Sequence, residues 1–215
     1  MKSQRTDDAA KHGVGEMRAG FGGGGTAVLT GGPRLEDREA AQAWARSVLA
    51  EPERAVVLDT ETTGLDNSAE IVQLAAVALD GAVRLHTFVR ATHPIPGAAT
   101  AIHRITDADC AGAPTYQEVH PLLAEAIGGR TVITYNADFD RRMLRQSAAP
   151  FRLSPLDLTW ACAMHQYARF VNEWDFRRND YRWHRLPIAP GAAAHTALGD
   201  CFSTLLLLRR MAGDA

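Results

Sequence analysis

Asp59 and Glu61 stand two residues apart at the end of the apolar run Val56-Val57-Leu58, and the chain then turns at Thr62-Thr63-Gly64-Leu65. Successive strand residues face opposite sides and rise about 3.3 Å each, so these acids share a face with backbones roughly 6 to 7 Å apart. Two like charges so placed require a cation, and hard divalent ions such as Mg²⁺ take carboxylate oxygens at about 2.0 to 2.1 Å. One ion fits between the pair or two beside it; a solvated acidic turn is the plainer alternative. Three later residues carry compatible chemistry: Asp140 after a second apolar strand, and His195 and Asp200 at the last helix. Each also has a bland reading, Asp140 as an N-cap, Asp200 as a solvated helix residue and His195 as a loop or capping histidine. On a helix a five-residue step separates two side chains by about 140°, so His195 and Asp200 converge only if His195 lies at or before the first turn.

The elements that position these groups follow from hydrophobic period and punctuation. A helix from Leu35 puts Ala40, Ala43, Trp44, Val48 and Leu49 on one face and stops at Pro52, before a strand over 54–60. Strands follow over 71–79 and 83–89, joined by Asp80-Gly81 as a two-residue hairpin turn, which makes an antiparallel meander. A loop with Pro94 and Pro96 leads to a helix over 116–127, a short strand over 130–134 and a helix containing Met143 and Leu144. A fifth strand is expected over 154–158, then a helix through Trp160, Met164 and Tyr167, and a final helix over 196–211 presenting Leu198, Phe202, Leu205 and Leu206 to the sheet. The sum is an α/β domain over 35–215, with a mixed five-stranded sheet flanked by helices. No Gly-x-Gly-x-x-Gly follows the first strand, which excludes a dinucleotide-binding fingerprint.

Composition narrows the class further. A chain of 215 residues with 46% hydrophobic and 22% charged residues supports one substantial core. Its net charge of −2 confines any basic surface to a local patch. Half of the 18 Gly fall in residues 1–34, including Gly22 to Gly25, and this stretch reads as a disordered tail. It is no phosphate loop, because Gly25 is followed by Thr26-Ala27-Val28 rather than Gly-Lys-Ser. Cys110, Cys162 and Cys201 are odd in number and far apart, which suggests neither disulfides nor structural zinc and fits a reducing cytoplasm. No apolar run is long enough for a signal peptide or a membrane span.

Asp59-Thr-Glu61-Thr-Thr-Gly-Leu, Asn136-Ala-Asp-Phe-Asp140 and His195-x-x-x-x-Asp200 resemble, in order and spacing, the three motifs of the DEDDh 3'-5' exonucleases. That group includes the proofreading subunit of bacterial DNA polymerase III. The segments 102–106 and 114–119 also look like the family's link between the meander and its first major helix, and the resemblance covers about 54–211. Tyr135 stands where a His is common, Arg104 where a Gly is usual, and 169–190 is idiosyncratic. The resemblance implies an RNase H-like fold and two Mg²⁺ or Mn²⁺ ions held by Asp59, Glu61, Asp140 and Asp200, with His195 as general base. It further implies that Thr62, Thr63, Gly64 and Leu65 meet the terminal nucleotide; turn chemistry is the alternative for the two threonines.

The implied partner is nucleic acid with a single-stranded or frayed 3' end, DNA before RNA, cut to nucleoside 5'-monophosphates. An exoribonuclease and a silent binding module of the same fold are the alternatives. Between Arg141 and Arg185 nine Arg face four acids, interleaved with Trp160, Tyr167, Phe170, Trp174, Phe176, Tyr181 and Trp183. Such a mixture suits a single-strand channel, or else a core with solvated Arg. Fifteen residues follow Asp200, so a stand-alone enzyme is favoured over a polymerase-associated one.

Overall fold

A computed structural model describes residues 32–214. The Gly-rich tail expected over 1–34 therefore lies almost wholly outside the described residues. The chain runs through α1 (Leu35–Ala50), β1 (Ala55–Thr62), β2 (Ile71–Ala78), β3 (Val83–Phe88), α2 (Gly97–His103), α3 (Asp107–Cys110) and α4 (Tyr116–Ile127). It continues through β4 (Thr131–Thr134), α5 (Ala137–Ala148), β5 (Trp160–Cys162), α6 (Ala163–Val171), β6 (Trp174–Asp175), β7 (Asp180–Tyr181) and α7 (Ala197–Ala212). The main sheet has five strands in the order β3-β2-β1-β4-β5. The β1–β2 and β2–β3 pairs are antiparallel, and β1–β4 and β4–β5 are parallel. This is the mixed sheet expected from the sequence.

Alternation along β1 divides the core into two layers. Val56 and Leu58 pack with Val119, Leu123 and Met143 from α4 and α5. Ala55 and Val57 pack on the other face with Cys201, Leu205 and Leu208 of α7. By that parity Asp59 and Glu61 turn toward α7, and Thr60 turns toward α5. The parallel strands β1, β4 and β5 all end at one edge of the sheet, where the helices that follow β4 and β5 begin and where α/β sheets bind ligands.

Several expected elements differ in detail. The predicted strand at 154–158 is not a strand: Pro155 lacks the amide a ladder needs, and Leu156 and Leu158 pack on the core without pairing, so β5 begins at Trp160 instead. The meander turn is a three-residue loop rather than a two-residue one. Ala78 N–H donates to the Ala82 carbonyl at 2.8 Å, Asp80 caps Ala82 N–H at 2.9 Å, and Gly81 takes the left-handed φ of 95° that this turn requires. Helix α1 buries Ala41 and Ala45, with Trp44, Val48 and Leu49 only partly covered and Ala40 and Ala43 exposed, because its small residues abut Leu207 and Met211 of α7. On α7, Leu205, Leu207 and Leu208 are inside and Leu206 is exposed. Helices α2 and α3 and the β6–β7 hairpin were not foreseen. Cys110, Cys162 and Cys201 are free thiols. Among the described residues no helix is long and apolar enough to cross a membrane.

Candidate functional site

Carboxylate oxygens of Asp59, Glu61 and Asp200 lie within 4.8 Å of one another at the carboxyl edge of β1. The strand continues to Thr62, so both β1 acids are held by ladder pairing, Asp59 opposite Ala75 and Glu61 opposite Gln73, and not by a mobile turn. Asp200 sits in the first turn of α7, where the helix dipole favours a negative group. The start of α7 is built to bring it there. Thr196 is the N-cap, its hydroxyl accepting from Gly199 N–H at 3.2 Å and donating to the Ala193 carbonyl at 2.9 Å. A Cβ on Gly199 would strike that Ala193 carbonyl, so the turn requires glycine there. His195 stands just before the N-cap in a left-handed conformation, φ 57°, and is exposed. It thus occupies the position from which convergence with Asp200 is possible.

Asp140 belongs to the neighbourhood but not to the three-acid cluster. It is buried in the first turn of α5, and its Oδ1 accepts a hydrogen bond from Thr60 Oγ1 at 2.8 Å, across the sheet from Asp59. All four acids are displaced upward, Asp59 and Glu61 by burial and then by the charge of their acidic neighbours, Asp140 and Asp200 by burial. Burial and then Asp140, Glu61 and Asp200 hold the Asp59 carboxyl well above the usual carboxylate range. Burial followed by Asp200 and Asp140 pushes Glu61 up to about 8. Burial also raises Asp140, opposed by the Thr60 hydrogen bond, and raises Asp200, opposed by the charge of His195. Among the described residues the buried Oδ1 of Asp200 has no hydrogen-bond partner. Carboxylates that repel and leave an acceptor unpaired fit a hard divalent cation, which neutralises both defects.

Beside the acids opens a cleft of about 490 Å³ lined from Thr60 to Asp66, by Pro96, Ala98, Ala99, Ile102 and His103 of the α2 region, and by Phe139 of α5. Leu65 and Ile102 project into solvent at its lips, 76% and 59% exposed. Thr62 and Thr63 line it, but their hydroxyls are spent on the turn: Thr62 Oγ1 donates to the Gly64 carbonyl at 2.7 Å, and Thr63 Oγ1 accepts from Glu70 N–H at 3.0 Å. His103, expected from the sequence only as part of a linking segment, locks this floor. Its Nδ1 accepts from Ile105 N–H at 3.0 Å, so Nε2 carries the proton and donates to the Thr62 carbonyl at 3.1 Å. Burial holds it below the ordinary histidine range. Its signal in sequence is no more than a histidine in a Pro-rich stretch.

The RNase_T exonuclease family model matches residues 56–208. The chain belongs to this exonuclease family. An uncharacterised exonuclease of Escherichia phage 186, CP81, is 38% identical over 170 residues, 73% of this chain and 87% of the phage protein. Exodeoxyribonuclease 10 of Escherichia coli K12 is 33% identical over 158 residues, 71% of this chain and 66% of the relative. Among solved structures, Exonuclease X in complex with 5' overhanging duplex DNA aligns with a TM-score of 0.53 at 30% identity, over 74% of this chain and 93% of that one. The nuclease domain of 3'hExo, a DEDDh family member bound to rAMP, aligns at 0.59 with 15% identity over 75% of this chain and 92% of that one, a likeness of fold. The family match runs from β1 through α7, so it takes in Asp59, Glu61, Asp140, His195 and Asp200.

Within this exonuclease domain the Arg and aromatic side chains of 141–185 have several different partners. Arg141 pairs with Asp138, and Arg142 holds loop carbonyls. Trp160, Tyr167 and Phe170 pack on the core clusters.

Proposed function

We propose that this exonuclease works from the 3' end of single-stranded DNA, with divalent metal, and releases nucleoside 5'-monophosphates. The carrying observation is the three-carboxylate cluster at the mouth of a cleft with apolar lips. Bound there, two Mg²⁺ or Mn²⁺ ions supply neutralisation of the scissile phosphate and of the attacking and departing oxygens. Asp59, Glu61 and Asp200 are the residues to hold them, with Asp140 backing Asp59 from across the strand. Leu65 and Ile102 clamp the terminal base, and the backbone of Thr62 to Gly64 floors the cleft. His195, exposed beside Asp200, takes a proton from the attacking water; the new P–O bond forms as the bond to the neighbouring 3' oxygen breaks. The products are a 5'-mononucleotide and a strand shortened by one residue with a free 3' hydroxyl.

DNA is favoured over RNA because exodeoxyribonuclease 10 and the DNA-bound Exonuclease X are relatives at 33% and 30% identity. The test is degradation of matched 3'-end-labelled single-stranded DNA, duplex DNA and RNA with Mg²⁺, with and without chelator. Labelled mononucleotide should leave single-stranded DNA fastest and chelator should stop it. Release that persists in chelator overturns the metal role, and binding without any release makes the chain a silent module.

A further inference from the structure

The segment 173–185 lies outside the five-stranded sheet and is built as a small rigid platform. Trp174 and Tyr181 pack edge to face across the β6–β7 ladder, ring centroids 5.0 Å apart. Tyr181 ties the hairpin to α1, its hydroxyl accepting from Arg34 N–H at 3.0 Å and donating to Asp37 Oδ2 at 2.8 Å. The tip is closed by Asp175, whose Oδ1 accepts from Arg177 N–H at 2.9 Å, and by Asn179 in a left-handed conformation. Asp180 is likewise turned onto backbone, accepting from Tyr181 N–H at 2.7 Å.

What this scaffold presents to solvent is aromatic and cationic. Phe176 is 78% exposed and Trp183 45% exposed, and the Arg178 guanidinium lies 4.1 Å from the Trp183 ring centroid. Among the described residues Arg177, Arg178 and Arg185 are in no ion pair, and Arg182 meets Glu173 only at a solvent-exposed 3.8 Å. Exposed rings with a guanidinium plane and unpaired Arg are the groups that stack unpaired bases and hold phosphates. A duplex, whose bases already stack on one another, offers such rings little.

The platform shares an edge with the carboxylates. Tyr135, just past β4, donates its hydroxyl to the His184 carbonyl at 2.6 Å, and His165 in the first turn of α6 lies 5.9 Å ring to ring from Trp183. Both mark the carboxyl ends of β4 and β5, which run parallel to β1, and β5 is two strand spacings, roughly 10 Å, from β1.

We propose that Phe176, Trp183, Arg177 and Arg178 form a second subsite that grips single-stranded DNA upstream of the terminal nucleotide. The proposal rests on the reading of the cleft as the seat of the 3' end. It is tested on the full chain by fluorescence anisotropy with labelled dT20 in chelator, comparing Phe176→Ala/Trp183→Ala and Arg177→Ser/Arg178→Ser with the unaltered protein. Each pair should weaken dT20 binding about tenfold or more, since each removes two contacts. The Arg pair should also flatten the salt slope by about 1.4, at about 0.7 per phosphate on a single strand. In Mg²⁺, hydrolysis of a dinucleotide, too short to reach the platform, should be unchanged. Unaltered dT20 affinity and salt slope in both variants overturn the subsite, as does an equal loss on dinucleotide and dT20. If the unaltered chain binds dT20 through these residues yet releases no mononucleotide, the exonuclease reading falls and the subsite stands; hydrolysis with binding indifferent to both variants is the reverse.

Discussion

Glu61 keeps its proton to about pH 8 instead of the ordinary 4.5 because it is buried beside Asp200 and Asp140. Asp59, Asp140 and Asp200 are displaced in the same direction. For an acid with a raised folded pKa, the folded protein binds protons that the unfolded chain has released. Without metal, the contribution of these acids to stability is therefore greatest at low pH and declines as pH rises from about 4.5 through about 8. A divalent cation bound to the ionised cluster reverses the trend. Thermal unfolding at pH 5.5, 7 and 8.5 should give a Tm in chelator that falls with pH, and a Mg²⁺ increment that is largest at the highest pH; a flat or rising Tm in chelator contradicts the burial of these charges. His195 belongs to the same scale. Asn also tolerates left-handed backbone, so His195→Asn preserves the loop while removing the base. We expect kcat to fall about 100-fold or more with Mg²⁺ affinity retained by calorimetry, and full activity would reject the role.

At the scale of elements, α5 acts as a clamp on the β1–β2 loop. Arg142 Nη1 donates to the Leu65 carbonyl at 3.0 Å, and Gln146 Nε2 donates to the carbonyls of Asp66 and Ala69 at 3.1 and 2.9 Å. One helix thus carries Asp140 and also fixes the lip on which Leu65 stands. Losing the charged donor in Arg142→Ala should raise KM for an oligonucleotide about tenfold, near 1.5 kcal/mol, with kcat almost unchanged and partial recovery in Arg142→Lys. A drop confined to kcat would place Arg142 in the chemistry instead. Helix α2 ends at Arg104 in a left-handed conformation, φ 64°, which glycine adopts without the Cβ penalty that arginine bears. Arg104→Gly should therefore add about 1 kcal/mol to stability, read from the denaturant midpoint, and no gain would mean that the arginine side chain offsets its strain.

For the whole molecule, α1 covers α7, and α7 in turn covers the face of the sheet that bears Asp59 and Glu61. Ala41 and Ala45 are fully buried against Leu207 and Met211, toward the far end of α7 from Asp200. Ala45→Leu should overpack this junction and cost about 1–3 kcal/mol, while kcat per folded molecule at a permissive temperature stays the same. A matching loss of kcat would show that the α1 layer sets the position of Asp200. Solubility and charge act differently at this scale: with a net charge of −2, nucleic-acid affinity must come from local placement of Arg and not from a global field.

The strand ending in Asp59 and Glu61, the meander, α4, α5 and α7 were legible in sequence because each carries enough apolar period to declare its face, and the order of acids carried the family resemblance. Short elements carried no such period. Helix α2, α3 and the two-residue strands β6 and β7 depend on tertiary contacts, among them His103 on Thr62 and Tyr181 on Asp37. A strand placed at 154–158 failed because an apolar pattern cannot say whether neighbouring amides are free to pair. The sequence by itself determined which acids and which histidine the chain carries, and their order. Only the tertiary structure decided that Asp59, Glu61 and Asp200 meet within 4.8 Å while Asp140 faces Thr60 across the strand, and that the Arg-rich stretch divides between clamp, core and platform. The reason is physical: alternation along a strand fixes which side a group faces, but only packing of α5, α7 and the hairpin onto that strand fixes which distant groups share the side.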